Sequence, residues 1–123
     1  KLISSDVYIT YAQLDPCPNF VLEAIAHGLP IIGCDSGGVP EIVGNCGEIL
    51  SLSKSNSSNY QNLNYEFGLK PPKMEELYIN LLKVKDNSKS YEENIRIALK
   101  HRLSKEYIIV RYYELLKNLS LFT

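Results

Sequence analysis

Three short apolar runs, separated by turns that contain glycine and proline, dominate the first fifty residues. They cover residues 6–12, 30–35 and 47–51. Their β-branched and aromatic content is typical of strands. The first run is apolar almost throughout instead of alternating, which is typical of a central parallel strand covered on both faces. The pattern therefore predicts three strands, the first of them central in a sheet.

Two helical segments fall between these runs. Cys17 precedes a proline and is disfavoured in the α region, so a helix is predicted from Asn19 to His27, with Gly28 as its stop signal. A second, short helix is predicted over residues 39–43, with a proline in its first turn. Strands and helices that alternate with short links indicate a parallel α/β sheet with right-handed crossovers. The predicted fold class is α/β, with a Rossmann-like parallel sheet.

The rest of the chain changes to a helical period. Helices are predicted over 73–85 and 90–103, and Ser104 is the predicted N-cap of a last helix. One apolar stripe runs along that last helix: Ile108, Tyr112, Leu115 and Leu119. Residues 52–72 are rich in Ser, Asn and Tyr and end in two prolines, so they are predicted to be a surface insertion or a mobile loop. The sheet is therefore followed by a helical tail.

Length and composition fit one domain but suggest an incomplete sheet. A chain of 123 residues with 45% hydrophobic content can form a real core. Three strands are few, because a doubly wound sheet normally has about five or six. The chain begins with Lys1, and its one methionine is Met74. We therefore expect residues 1–123 to belong to a longer protein whose further strands precede Lys1.

Charge and cysteine content exclude several classes of partner. The formal net charge is −1, but residues 1–50 hold one lysine and six acidic residues, whereas residues 51–123 hold twelve basic and eight acidic residues. The basic residues are interspersed with acids in the helical tail, which is typical of a solvated surface and not of a nucleic-acid-binding face. The three cysteines are an odd number with no close spacing, which indicates a reducing compartment and argues against a zinc site. We expect no nucleic-acid partner and no metal.

The stretch from Asp15 to Pro30 carries the candidate chemistry. Asp15 follows the first strand, and in a parallel sheet ligands bind at that end, against the next helix. The free amides of Asn19, Phe20 and Val21 open the helix and could receive a phosphate. At about 100° per residue Glu23 lies off the apolar flank formed by Val21, Ala24 and Ile25.

Two ionised carboxylates suit the hydroxyl groups of a ligand, since they only accept hydrogen bonds, and the helix start suits a diphosphate. A nucleotide-sugar fits that description. A plainer explanation is a turn residue at Asp15 and a solvent-facing residue at Glu23, and spacing alone favours it. Gly37-Gly38 is likewise more often a turn than a phosphate-binding loop.

Four motifs taken together resemble the C-terminal half of retaining, GT-B-type "group 1" glycosyltransferases. The match runs from about Asp6 to Leu50, and its motifs are Asp15-Pro-Cys-Pro-Asn19, Leu22-Glu-Ala-Ile-Ala26, Gly28-Leu-Pro-Ile-Ile32 and Asp35-Ser-Gly-Gly-Val-Pro-Glu41. The helix over 107–119 is also similar to the family's tail. The resemblance implies transfer of a sugar from a UDP-, GDP- or ADP-type donor to an acceptor hydroxyl, with retention at the anomeric carbon.

The resemblance also implies roles for individual residues. Asp15 and Glu23 would be the catalytic pair, Asp15 at the donor sugar and Glu23 at the ribose hydroxyls. Pro18, Asn19, Phe20 and Val21 would complete the donor site, with Gly37 and Gly38 in a loop nearby. No metal and no cofactor are implied, because the nucleotide-sugar is a substrate. The implied partners are a saccharide or lipid-linked acceptor and an N-terminal domain of the same chain.

Two departures from the family pattern keep alternatives open. Asp15 stands where the family has glutamate, which shortens its reach by one methylene. Residues 2–50 contain no Lys or Arg to meet a diphosphate leaving group, so residues 1–123 are not expected to complete an active site. The alternatives are a non-catalytic nucleotide- or protein-binding module, or another doubly wound domain. The expected location is the cytoplasm, or the cytoplasmic face of a membrane for a lipid acceptor.

Overall fold

A computed structural model describes residues 4–51 and 73–118 of the protein. Three strands, β1 (Tyr8–Ile9), β2 (Ile31–Cys34) and β3 (Gly47–Leu50), alternate with the helices α1 (Asn19–Ala26) and α2 (Val39–Val43). A single 3-10 turn, Gly44–Cys46, joins α2 to β3. Three longer helices follow: α3 (Met74–Asp86), α4 (Ser88–Lys100) and α5 (Lys105–Asn118). The predicted insertion at 52–72 and the predicted stripe residue Leu119 lie outside the described residues.

The strands form one parallel sheet in the order β1-β2-β3. Three parallel strands were predicted, but the first was expected to be central. Within the described part of the chain β1 lies at the edge, and its Ile9 is 46% exposed, whereas all four residues of β2 are buried. An apolar run indicates a strand that buries surface, but it carries no information about which neighbours the strand pairs with. A central first strand depends on the strands expected before Lys1, so it stays a prediction.

Helices cover both faces of the sheet. On one face Ile31 of β2 packs with residues of α1, α2 and α4, including Val21, Val39 and Ile95. On the other face its neighbour Ile32 packs with residues of α3 and with Tyr91 of α4. Successive side chains of a strand point to opposite faces, so two adjacent isoleucines supply both clusters. The protein is thus a mixed α/β fold in which a small parallel sheet is buried on both sides.

Local signals in the sequence explain where the first two helices lie. Gly28 ends the first helical segment with φ of +80°, a left-handed conformation that glycine adopts without a Cβ penalty. A Cβ on Gly33 of β2 would lie 2.4 Å from Cγ1 of Val39, so glycine lets α2 approach the sheet closely. Because α1 and α2 pack in the same cluster, both crossovers pass over the same face. This arrangement positions the starts of both helices at one edge of the sheet.

Two long-range contacts hold the C-terminal helices against the sheet. The Arg102 guanidinium donates to the backbone carbonyls of Ile42 and Val43 at 2.7 and 2.9 Å, at the end of α2. A carboxylate oxygen of Glu76 accepts from the backbone N–H of Ser51 at 2.9 Å, and this bond lowers the Glu76 pKa. Each contact satisfies backbone groups at the end of an element, where intrahelical or ladder partners run out.

The last helix departs from the packing of the others. Neither core cluster contains a residue of α5, and the last residue packed against them is Leu103. Ser104 accepts a hydrogen bond from the Tyr107 N–H at 3.1 Å through its Oγ, which confirms the predicted N-cap. Among the described residues, no helix is both long and apolar enough to cross a membrane.

Candidate functional site

The turns that follow β1 and β2 meet at one edge of the sheet. Because the strands are parallel, both turns leave from the carboxyl ends of their strands. We call the side of the sheet where the strands end the carboxyl edge, and the side where they begin the amino edge. The Gly38 N–H donates to the backbone carbonyl of Asp15 at 2.8 Å. The Leu14 N–H donates to Ser36 Oγ at 2.9 Å. The fold therefore brings the predicted Asp15 turn against the predicted Gly37-Gly38 loop.

Glycine is required where these two turns touch. A Cβ on Gly37 would lie 2.2 Å from the Asp15 carbonyl oxygen, and one on Gly38 would lie 2.2 Å from the Pro16 carbonyl oxygen. Gly37 also has φ of +56°, whereas Gly38 has an ordinary φ of −86°. The two glycines thus allow the backbones of the two turns to touch. The sequence alone left two roles open for Gly37-Gly38, a turn or a phosphate-binding loop.

One carboxylate oxygen of Asp15 accepts a hydrogen bond within the turn that contains Asp15. Its Oδ1 accepts from the Cys17 N–H at 3.0 Å, a local bond that aspartate commonly makes in turns. The side chain is half-buried. One carboxylate oxygen thus fixes the turn, as the plainer explanation expected. The bond also holds the carboxylate in one orientation, with its second oxygen available as an acceptor.

The start of α1 offers a ligand fewer free backbone N–H groups than the three predicted from the sequence. No side chain caps the helix, and Pro18 at the N-cap position is buried. The Val21 N–H already donates to the Pro18 carbonyl at 3.0 Å. Of the three N–H groups predicted to be free, that of Val21 is therefore already hydrogen-bonded within the first turn of the helix. Asn19 and Phe20 are exposed, and their N–H groups lead the helix.

Glu23 lies on the exposed flank of α1, as its position on the helical wheel predicted. Val21, Ala24 and Ile25 are the buried residues of the helix, and Phe20 is 70% exposed. The His27 ring nitrogen Nδ1 lies 2.7 Å from the Glu23 backbone carbonyl oxygen. This contact does not involve the Glu23 carboxylate. Glu23 is exposed, and no described residue is recorded as a hydrogen-bond partner of its carboxylate.

Buried groups behind the turns stiffen this edge. The Cys34 thiol, at the end of β2, donates to the Ala12 carbonyl at 2.7 Å, and burial raises the pKa of this thiol. Burial also raises the pKa of Tyr11, an effect opposed by the side chain of Gln13. The Gln13 Nε2 atom is buried with no hydrogen-bond acceptor in range among the described residues. The Cys17 thiol is exposed, whereas that of Cys34 is buried.

Lys73 lies near the carboxyl edge, since it interacts electrostatically with Glu76, which accepts from the Ser51 N–H directly after β3. Other basic side chains make their contacts elsewhere. Arg102 binds the far end of α2, and Lys83 pairs with Glu48 at 3.3 Å near the start of β3. Arg96 pairs with Glu93, and Arg111 with Glu114. Among the residues that the structure describes, no group of His, Cys, Asp or Glu could hold a metal ion.

Two cavities lie away from the candidate site, at the amino edge. One of about 720 Å³ lies between the starts of β1 and β2 and the helices α3 and α4, with Val7, Pro30 and Val84 in its wall. A polar one of about 330 Å³ lies beside the start of β3 and is lined by Asn45, Glu48, Asn94 and neighbours. Neither cavity is lined by a predicted donor-site residue, although Gly28, Leu29 and Pro30 of the Gly28-Leu-Pro-Ile-Ile32 motif line the larger one. The carboxyl edge remains the better candidate because the ends of parallel strands and the starts of two helices converge there.

Sequence reasoning missed three contacts, all between residues far apart in the chain. They are the Arg102 contacts with α2, the Cys34–Ala12 bond and the pair formed by Tyr91 and Glu48. No local pattern signals them, because each depends on how separate elements pack.

Comparisons of the chain with protein-family models, with curated proteins and with solved structures found no match.

Proposed function

We propose that residues 1–123 form the donor-binding part of a retaining glycosyltransferase of GT-B type. The observation that carries the proposal is the contact between the Asp15 turn and the Gly37-Gly38 loop at the carboxyl edge. These are two of the motifs on which the resemblance rests. Asp15 and Gly37 are 22 positions apart in the sequence, yet the two motifs touch through their backbones.

The proposed ligand is a nucleotide-sugar, and each group has a chemical reason. The N–H groups of Asn19 and Phe20 at the uncapped start of α1 suit the diphosphate. Glu23, on the exposed flank, accepts hydrogen bonds from the ribose hydroxyls. The second oxygen of Asp15 accepts from a hydroxyl of the donor sugar. Glu23 has the better-supported role, because its carboxylate is not used in the fold.

The described residues supply acceptor groups and amides, and among them no basic side chain hydrogen-bonds the Asp15 turn or the glycine loop. In the proposed transfer the bond between the anomeric carbon and the diphosphate oxygen breaks, and the acceptor oxygen forms a new bond on the same face. The leaving diphosphate takes the acceptor proton, and its charge needs stabilisation by basic groups. Those groups and the acceptor site are assigned to the proposed N-terminal domain of the same chain.

The test is calorimetric titration of UDP and GDP into the full-length protein and its Glu23→Gln variant. We expect at least a tenfold weaker affinity in the variant, together with lower transfer activity, because a carboxylate that accepts two hydroxyl bonds is lost. Glu92→Gln is the matched control, since Glu92 is an exposed glutamate on α4 that lines the cavity at the amino edge. Equal affinities in all three proteins would remove the ribose role of Glu23.

A second candidate is a nucleotide-binding module without catalysis. Two observations favour it: among the described residues no basic side chain hydrogen-bonds the Asp15 turn or the glycine loop, and Asp15 Oδ1 is used in the turn. A panel of UDP-, GDP- and ADP-sugars incubated with the full-length protein separates the two candidates. Hydrolysis or transfer of any donor supports the enzyme, whereas binding with no turnover supports the module.

A further inference from the structure

Leu14, the residue directly before Asp15, has an unusual backbone conformation. Its φ is +60°, and among the described residues other than glycine it is the one with a positive φ. In this left-handed region the Cβ of an ordinary residue lies too close to the following carbonyl oxygen, so the conformation is strained. Strained backbone persists where the surrounding structure fixes it, and it is frequently found at functional sites. Contacts with the rest of the fold must therefore hold Leu14 in place.

Side-chain packing does not hold Leu14. Its side chain is 59% exposed, and neither core cluster includes it. Its backbone makes the contact instead, because the Leu14 N–H donates to Ser36 Oγ at 2.9 Å. The strained conformation therefore depends on hydrogen bonds to the loop that follows β2.

Ser36 is itself fixed between the sheet and the second helix. Its N–H donates at 2.9 Å to the carbonyl of Cys34, the last residue of β2. Its own carbonyl accepts at 3.3 Å from the N–H of Val39, the first residue of α2. Cys34 and Val39 are both buried, and Ser36 is half-buried. The Ser36 hydroxyl is thus an acceptor with a defined position.

Two hydrogen bonds to the same loop bracket Leu14 and Asp15. Ser36 Oγ accepts from the Leu14 N–H, and the Gly38 N–H donates to the Asp15 carbonyl at 2.8 Å. The backbone dihedrals between these two bonds are those of Leu14 and Asp15, so the bonds set the direction of the Asp15 side chain. Without the Ser36 bond, Leu14 would return to a negative φ and the Asp15 carboxylate would turn.

We propose that Ser36 is a positioning residue of the candidate site. Its hydroxyl holds Leu14 in the left-handed conformation and thereby aims the Asp15 carboxylate. The consequence for a ligand rests on the proposed function, in which the second oxygen of Asp15 accepts from a hydroxyl of the donor sugar. Ser36 acts on the ligand through Asp15 and not by direct contact. Its loss should therefore affect recognition of the sugar more than recognition of the nucleotide.

The first experiment needs no ligand and uses NMR of the 123-residue protein. At positive φ the amide proton and the Hα of a residue lie closest together, so Leu14 should give a strong NOE between them. In Ser36→Ala this NOE should weaken by about twofold or more, because Leu14 returns to a negative φ. The Cys17 amide proton should also shift, since its hydrogen bond to Asp15 Oδ1 is disturbed.

Ser36→Thr keeps a hydroxyl and should keep both NMR signals of the original protein. This variant separates loss of the hydrogen bond from a general effect of substitution at this position. A Leu14 NOE of unchanged strength in Ser36→Ala would show that Ser36 does not hold the turn, and it would overturn the proposal.

The second experiment measures the consequence for the donor sugar. Calorimetry on the full-length protein compares UDP-glucose with UDP, and GDP-mannose with GDP. In Ser36→Ala, binding of the nucleotide-sugar should weaken by about fivefold or more, and binding of the free nucleotide by less than about twofold, because the bond that is disturbed is the one from Asp15 to the sugar. Ser36→Thr should recover most of the lost affinity.

Ser90→Ala is the matched control, since Ser90 is an exposed serine beside the polar cavity at the amino edge. It should leave the affinities for all four probes unchanged. Equal weakening of nucleotide and nucleotide-sugar in Ser36→Ala would indicate a general structural effect and would overturn the positioning role. Failure of the original protein to bind any of the four probes would instead overturn the proposed function, and the NMR result would then decide whether Ser36 holds the turn.

Discussion

Single residues hold this fold together mainly where they satisfy backbone or carboxylate groups between distant elements. Tyr91 and Arg102 are the clearest cases. The Tyr91 hydroxyl donates to Glu48 at 2.5 Å and ties α4 to β3. Arg102 donates to the last carbonyls of α2 and lies close to Gly44, where a Cβ would come within 3.0 Å of its guanidinium. Both contacts are testable through stability.

Tyr91 should make stability fall steeply at high pH. Burial and the hydrogen bond to Glu48 raise the pKa of Tyr91 to about 12 from an ordinary value of 10.0. The folded state therefore keeps this proton at a pH where the unfolded chain has lost it. The resulting stabilisation is complete below pH 10 and is lost as the pH rises from 10 to 12, on the order of 2–3 kcal/mol in all.

The measurement is urea unfolding at pH 8, 10 and 11.5 for the original protein and Tyr91→Phe. The variant should be about 1 kcal/mol less stable at pH 8, because the hydrogen bond to Glu48 is lost. Between pH 10 and 11.5 it should lose less stability than the original protein. Parallel losses in both proteins over that interval would show that Tyr91 does not carry the alkaline dependence.

Arg102→Ala should destabilise the protein by about 2 kcal/mol, since it leaves the carbonyls of Ile42 and Val43 without their donor. Arg102→Lys should recover only part of that loss. An ammonium group can donate to one of the carbonyls, but it cannot span several of them as the planar guanidinium does. Arg96→Ala is the control, since Arg96 is exposed and pairs only with Glu93 on its own helix. Chemical denaturation checks all three. Equal stability of the two alanine variants would contradict a role for Arg102 as a clamp.

At the scale of elements, the contact between the Asp15 turn and the glycine loop is the feature on which the candidate site depends. Gly38→Ala should lower the unfolding free energy by about 2 kcal/mol, because the new Cβ would lie 2.2 Å from the Pro16 carbonyl oxygen. Gly38 has an ordinary φ, so this loss would arise from the clash and not from backbone strain.

Gly28→Ala is the matched control for that clash. Gly28 has φ of +80°, but a Cβ there would meet nothing within 4 Å. Its substitution should cost about 1 kcal/mol through strain alone and leave the carboxyl edge undisturbed. In the full-length protein, UDP or GDP binding should weaken in Gly38→Ala and stay unchanged in Gly28→Ala. The opposite ranking would separate the glycine loop from nucleotide binding.

Elements with strong local signals were predictable from the sequence. The helix over 39–43 has Pro40 in its first turn, and the helix from Asn19 lies between Pro18 and Gly28, so both bounds follow from adjacent residues. The edge position of β1 was not predictable, since strand order depends on which strands pair. The hydrogen bond from the Val21 N–H to the Pro18 carbonyl was also not predicted, because it depends on the backbone geometry of the first helical turn.

The placement of the two turns at one end of the sheet was more predictable than the chemistry proposed for them. Sequence placed Asp15, Glu23 and the two glycines near one edge of a sheet, and the structure brings the Asp15 turn against the glycine loop. The double use of Asp15, in its turn and as a proposed ligand acceptor, could not be derived from spacing. It depends on the direction of the carboxylate relative to the Cys17 N–H.

At the scale of the whole molecule, the body of the domain and α5 are separable in energetic terms. The two core clusters extend from the sheet to Leu103 and include no residue of α5. The clamp formed by Arg102 also precedes this helix. Burial of apolar surface is the dominant favourable term in folding, so a helix outside the core contributes little to the stability of the rest.

Removal of residues 105–123 should therefore leave a folded protein. We expect the melting temperature of the truncated chain to fall within about 4 °C of the original, since a change of about 1 kcal/mol shifts a domain of this size by roughly 4–8 °C. Differential scanning calorimetry of the original and truncated chains makes the comparison. Loss of the cooperative transition in the truncated chain would show that α5 belongs to the folding unit after all.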